Sequence, residues 1–246
     1  MASFEGLDAS NWAELEPLYR DFLNREIGSA EQLEEWLLEL GQFDAFVSET
    51  GSMLYVNMTC DTENENVKKA YLDFVDNVQP ELAKISDLLN RKFADNPYAD
   101  QLDTAEYEVL LRDTRMDLAL FREENIPLGT ELTKLGQRYN EICGSMTVNF
   151  DGEERTMQQM GKFLQVNDRD VRESAYRTVG ERRFQNSDEI DEIYEKMIAL
   201  RQQVAQNAGY QNFRDYIFDA KHRFDYSPND CVAFHDAVES ICVPLM

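Results

Sequence analysis

The residues whose types could do chemistry gather near the end of the chain. Cys231, His235, Glu239 and Cys242 follow one another at offsets of 4, 8 and 11, which places them on one side of a helix as candidate metal ligands. The same spacing also arises when ordinary polar residues lie opposite an apolar face, here Phe234, Ala237, Val238 and Ile241. No loop pair of cysteines supports a structural zinc, so the four are weighed as candidates and not assigned as a site. The only histidines are His222 and His235, and neither precedes Glu. The His-Glu-x-x-His pair, which sets two imidazoles and a general base on one helix face, is therefore absent. No Ser or Cys has an identifiable His partner, and neither Gly-x-Gly-x-x-Gly nor a Gly-Lys-Ser/Thr phosphate loop occurs. Catalytic, cofactor-binding and metal residues are all expected to be none in this chain.

Two further clusters carry alternatives. Arg169, Arg172, Arg177, Arg182 and Arg183 form a basic group interleaved with Asp168, Asp170, Glu173 and Glu181, which reads as helix-surface ion pairs rather than an anion site. Tyr210, Phe213, Tyr216, Phe218, Phe224 and Tyr226 crowd one short stretch. Such a group can line a peptide groove, but core packing is the expected reading.

Helices position nearly all of these residues. Trp12, Leu15, Tyr19, Phe22 and Leu23 make one stripe, and Leu33, Trp36, Leu37, Leu40, Phe43 and Val47 a second. Ser29 with Gln32 and Thr62 with Glu65 fit capping boxes. Val67, Ala70, Tyr71, Phe74, Val75 and Val78 predict a helix up to Pro80, and Leu82 to Phe93 another up to Asn96-Pro97. A long segment from Thr104 runs to Ile126-Pro127, where proline marks the join. Leu54, Val56 and Met58 alternate like a strand, but Met53 to Cys60 is read as helical for want of a partner strand. The strand signal is Met146 to Phe150, Asp151-Gly152, then Glu153 to Met157, a hairpin with a tight turn. Helices around Val171, from Ser187 to Gly209, and from Ser227-Pro228 follow.

The totals exclude some classes. Among 246 residues, 48 acidic side chains face 24 Lys plus Arg for a net charge of -24, a field that repels phosphate backbones and anionic lipid. Nucleic acid and membrane are not expected partners. There is no apolar run long enough to span a bilayer, no basic and apolar leader in Met1 to Ser10, and only Cys60, Cys143, Cys231 and Cys242 as thiols, which points to a cytoplasmic protein with reduced cysteines.

From about Leu132 onward the chain resembles the oligoendopeptidase F family of thimet-type metallopeptidases. The phrases that carry this are Gly136-Gln137-Arg138-Tyr139-Asn140, the hairpin Met146 to Glu153, Asp168 to Glu173, Ala208-Gly209-Tyr210 through Tyr216, and Arg223-Phe224-Asp225-Tyr226-Ser227-Pro228 leading to Phe234-His235. The resemblance implies an all-α, multi-helix lobe of helical hairpins with one small β-hairpin near residues 146–157. It implies three regions: an amino-terminal helical region at 1–125, a helical subdomain with the hairpin at 126–186, and the first helices of a catalytic peptidase domain at 187–246. It further implies a zinc peptidase in which metal-activated water attacks short peptides inside a deep channel. The family's zinc helix lies beyond these residues, so the chain is expected to be the channel-wall part, inactive and without bound zinc by itself, with short peptides and the catalytic lobe as partners. A stand-alone acidic helical interaction protein, and a small metal module built on Cys231, His235 and Glu239, remain as alternatives.

Overall fold

The two opening apolar stripes become α1 (Trp12–Asn24) and α2 (Ala30–Cys60) in a computed structural model that describes residue 4 and residues 6–246. They are followed by α3 (Glu65–Asn77), α4 (Gln79–Ala94), α5 (Thr104–Leu120) and α6 (Asn125–Gly144). A hairpin of β1 (Thr147–Phe150) and β2 (Glu153–Thr156) comes next. Then come α7 (Met157–Met160), α8 (Arg169–Phe184), α9 (Ser187–Asn207), α10 (Phe213–Ala220) and α11 (Pro228–Ala237). The fold is all-α apart from one antiparallel two-stranded sheet, with Thr147 opposite Thr156 and Phe150 opposite Glu153.

The main core belongs to the first five helices. Leu15, Tyr19, Leu33, Trp36, Phe43, Val47, Phe74, Val78, Ile85, Leu89 and Phe93 are buried in one cluster, each large apolar side chain contributing about 1.5–3 kcal/mol. Its polar fastening lies at the end of α1. The Trp36 Nε1–H donates to Phe22 O at 3.0 Å. Lys92 Nζ, from α4, donates to Phe22 O and Leu23 O at 2.8 Å each and also to Arg25 O. An ammonium on the last carbonyls of a helix satisfies orphan acceptors and opposes the negative end of its dipole. Smaller cores follow along the chain: Ile142, Met146 and Ile193 between α6 and α9, and Val148, Met160 and Ala175 under the hairpin.

Several local expectations hold. Asp151 and Gly152 both take positive φ, 55° and 76°, as a type I′ turn requires. Met53 to Cys60 continues α2 as helix. Ser227 caps α11 in a reciprocal box with Asp230, and Pro228 stands in its first turn.

Others are corrected. Thr62 does not cap α3; Asn64 does, its side chain accepting from the Asn66 amide at 3.1 Å, because residues 61–64 form a turn that brings Asn64 to the helix start. Ser29 caps α2, but Gln32 reaches back to the Gly28 amide at 2.8 Å and not to Ser29. The join expected at Pro127 falls earlier, after Leu120, and Pro127 sits in the first turn of α6, where its missing N–H would have had no helical partner. The helix α10 was not anticipated. At the other end, α11 gives way to a π-helical turn over Val238–Cys242, so the regular spacing that would have aligned His235 with Cys242 is broken.

Candidate functional site

The aromatic stretch builds α10 and its flanks. Gly209, with φ 88°, ends α9, and Asn212 caps α10 by accepting from the Asp215 amide at 2.9 Å. Tyr216 then makes edge contact with Tyr210 at 5.7 Å and lies 5.9 Å from Phe213, while Phe218 and Tyr226 pair at 5.7 Å. None of the six aromatics is fully buried. Five of them meet edge-on or tilted and half-buried or exposed, not enclosed in a core, and Tyr216 also forms a wall of a cleft.

That cleft, about 440 Å³, lies where α10 meets the start of α4 and the α5–α6 joint, with Pro80, Ala83, Leu120, Phe121, Ile126 and Tyr216 in its lining. The one cation in this lining is committed to backbone: Arg122 donates to Asn207 O at 3.1 Å, Ala119 O at 3.0 Å and Phe121 O at 2.6 Å. Asn125 donates to Val204 O at 3.1 Å and accepts from Asn207 at 2.8 Å. These bonds lock the end of α9 onto the α5–α6 joint, leaving an apolar cleft that offers shape rather than reactive groups. Burial, with Asp219 beside it, pushes the Tyr210 phenol up to about 12. Burial and then Asp117 raise that of Tyr216.

His222 is a tether. Held at φ 51°, its ring places Nε2 2.8 Å from Asp117 Oδ1 and Nδ1 3.4 Å from Asp113 Oδ2, two carboxylates one turn apart on α5. Phe224 stacks on it at 6.0 Å, and the Arg112 guanidinium lies 4.4 Å from the Phe224 ring centroid. Among the described residues no Ser, Thr or Cys hydrogen-bonds this ring.

The other sequence candidates are not brought together. Glu239 and Cys242 lie on the exposed π-helical turn beyond α11, and His235 is exposed. Among the described residues no three His, Cys, Asp or Glu side chains are placed to hold a metal. The Phe234, Val238 and Ile241 face is largely exposed; Phe234 is 66% exposed and Ile241 64%. Of the arginine group, Arg177 pairs with Glu173 at 2.8 Å as expected, whereas Arg172 donates to the carbonyls of Val166 and Asn167 and Arg182 to Asn186.

A second concavity, about 510 Å³, opens between α2 and the α3–α4 joint and includes Tyr19, Asp44, Tyr55 and Tyr71 in its lining. Nothing in the sequence singled it out. Asp44 falls four residues after Leu40 and three before Val47, at the border of the apolar stripe, and that position was the available signal.

Two family profiles match successive parts of the chain. The profile described as Peptidase M3 N-terminal domain matches residues 7–121, and that of Peptidase family M3 matches residues 162–246. No curated protein matches significantly. Among solved structures, PZ peptidase A with an inhibitor superposes with a TM-score of 0.90 at 25% identity, over 98% of this chain and 44% of that one. A structure solved as oligoendopeptidase F gives 0.90 at 23% identity, over 98% and 43%. One from Bacillus anthracis str. Ames, likewise classed as oligoendopeptidase F, gives 0.90 at 21%, over 98% and 44%. The chain thus spans less than half the length of the structures it matches.

Proposed function

We propose, from the premise that this chain belongs to peptidase family M3, that its 246 residues form the amino-terminal, channel-wall part of a zinc-dependent oligoendopeptidase that hydrolyses short peptides. The observation that carries this reading is the order of the two family profiles along one chain, combined with coverage of 44% of a solved relative. In this reading residues 1–125 are the amino-terminal helical region, 126–186 a subdomain carrying the hairpin, and 187–246 the first helices of the catalytic domain. The four thiols, none of them paired in the structure, fit a reducing cytoplasm.

Zinc does not fit the residues present. The sequence has no His-Glu-x-x-His, and among the described residues no three suitable ligands converge. In this reading the side chains of this chain shape access to the reaction and do not carry it out. Its own contribution is to shape and exclude: the cleft beside α10 is apolar, and Arg122, Asn125 and His222 hold α9 and the segment after α10 against the α5–α6 joint. Such a wall limits which peptides enter and keeps them extended.

A quenched fluorescent peptide incubated with the purified chain and zinc should not be cleaved, and chelator-sensitive cleavage would overturn the reading. The intact mass of the native product carrying this sequence should be roughly twice the 28.6 kDa of these residues. A product of 28.6 kDa would instead make it a stand-alone binding protein.

A further inference from the structure

The wall formed by α10 is fastened at its two ends by different chemistry. Ahead of it, Arg122 and Asn125 hold the end of α9, and Gln202 donates to Gln211 O at 2.8 Å. Guanidinium and amide groups keep one charge state across the neutral range. Behind it the fastening is His222, whose part-buried ring has a carboxylate at each nitrogen. Asp117 Oδ1 lies 2.8 Å from Nε2 and Asp113 Oδ2 3.4 Å from Nδ1. A neutral imidazole carries one N–H, so it can donate to only one of the two and turns a lone pair toward the other; the imidazolium donates to both. Histidine is also the side chain whose charge ordinarily changes between about pH 5 and 8. The backbone sharpens this dependence, because φ of 51° at His222 is a left-handed conformation that surrounding contacts must maintain.

The remaining charges near the ring are few. On α5, Arg112 Nε donates to Asp113 Oδ1 at 3.3 Å, and its guanidinium covers the Phe224 ring that stacks on His222. From α10, the Asp219 carbonyl accepts from the His222 amide, while the Asp219 carboxylate accepts from Tyr210 Oη. Arg223 lies over the Phe218 ring at 5.2 Å, and Lys221 is exposed. Asp113 therefore has a second cation, whereas Asp117 has no Lys or Arg partner among the described residues. Asp117 and Tyr216 both line the cleft beside α10, so the ring of His222 holds one of the cleft's own lining residues.

We infer that His222 is a pH-dependent latch: its charged ring fastens the end of α10 to Asp113 and Asp117 of α5, and its neutral ring lets that wall of the cleft loosen. Gly209, at φ 88° on the other side of α10, is a joint about which the segment can move. The sign follows from the donors: the latch is complete while the imidazole is protonated and weakens as pH rises through the histidine's titration. This rests on the contacts between α5 and the end of α10 and not on the peptidase assignment.

Trypsin reads the latch directly, because Lys221 and Arg223 flank His222 and a held segment resists cleavage according to how rarely it opens. Cleavage after these two residues is followed by mass spectrometry in the 246-residue chain and in a synthetic peptide of residues 216–228. The ratio of the two rates is the protection, and the trypsin's own pH dependence cancels from it. In the wild-type chain protection should fall at least about tenfold between about pH 6 and about pH 8. His222→Asn tolerates the left-handed backbone but cannot be charged, and its protection should not vary with pH. Asp113→Asn removes one of the two carboxylates and should shrink the fall; it decides the matter if circular dichroism shows the first variant to be misfolded. His235→Gln alters the only other histidine and should keep the full fall. Constant protection in the wild type, a full fall in either latch variant that folds, or its disappearance in His235→Gln would overturn the latch.

Discussion

Gly51 lies in the middle of α2, where glycine ordinarily costs about 1 kcal/mol relative to alanine. Its presence is explained by Phe74, whose ring edge occupies the space a Cβ would need. Gly51→Ala sets a gain in helix propensity against an overpacked contact, and Phe74 is only 4% exposed, so the ring has little room to yield. The overpacking should win, with a net loss of about 1–2 kcal/mol in urea unfolding. An increase in stability would show that α2 and α3 can separate without cost. Residues of this kind were not legible in advance. A glycine inside a helical stripe does not say which partner presses on it, and Asp44 was hidden among 48 acidic side chains, distinguishable only by its place at the edge of the stripe. His222 and Arg122 likewise work through partners about a hundred residues and 85 residues away, which spacing within one element cannot reveal.

At the scale of elements, α6 is the hub, and its charges tie it to its neighbours. Glu141 pairs with Lys68 of α3 at 2.8 Å and with Arg138 at 3.2 Å, and Arg138 donates to Glu189 of α9 at 3.0 Å. Burial alone would raise the Glu141 carboxyl, but the hydrogen bonds and charges of Lys68 and Arg138 outweigh it and hold it below its ordinary value of 4.5. A depressed carboxyl contributes stability that is complete above the unfolded value and is lost as pH falls through the folded one. Unfolding free energy measured by urea should therefore decline below about pH 4.5, and Glu141→Gln should flatten part of that decline while lowering stability at pH 7. An unchanged pH profile in the variant would remove Glu141 from the account. Most elements were legible because their apolar residues recur with helical period and because Asp-Gly and Ser-Pro have strong local geometry. The misreadings came where two signals competed. Thr62 satisfied the cap pattern, yet Asn64 stood nearer the helix, and Pro127 looked like a break although a first turn tolerates proline. The eight residues of α10 were masked by their own aromatics, which suggested a groove or a core before they suggested a helix.

For the molecule as a whole, two surfaces pull in opposite directions. The net charge of -24 favours dispersal. Against it stands the stretch from Val232 to Leu245, where Val232, Phe234, Ile241, Val243 and Leu245 are each at least half exposed. Contiguous apolar surface of this kind drives association, so analytical ultracentrifugation at moderate salt should find oligomers that the paired change Phe234→Ser and Ile241→Ser converts to monomer. A wild-type chain that stays monomeric across concentration would show that charge prevails. No helix among the described residues is long and apolar enough to cross a membrane. In a living cell the same uncovered stretch has a different meaning. Chaperones and proteases read exposed apolar chain as unfinished work, so whatever covers α11 and the turn after it also governs how long the protein survives.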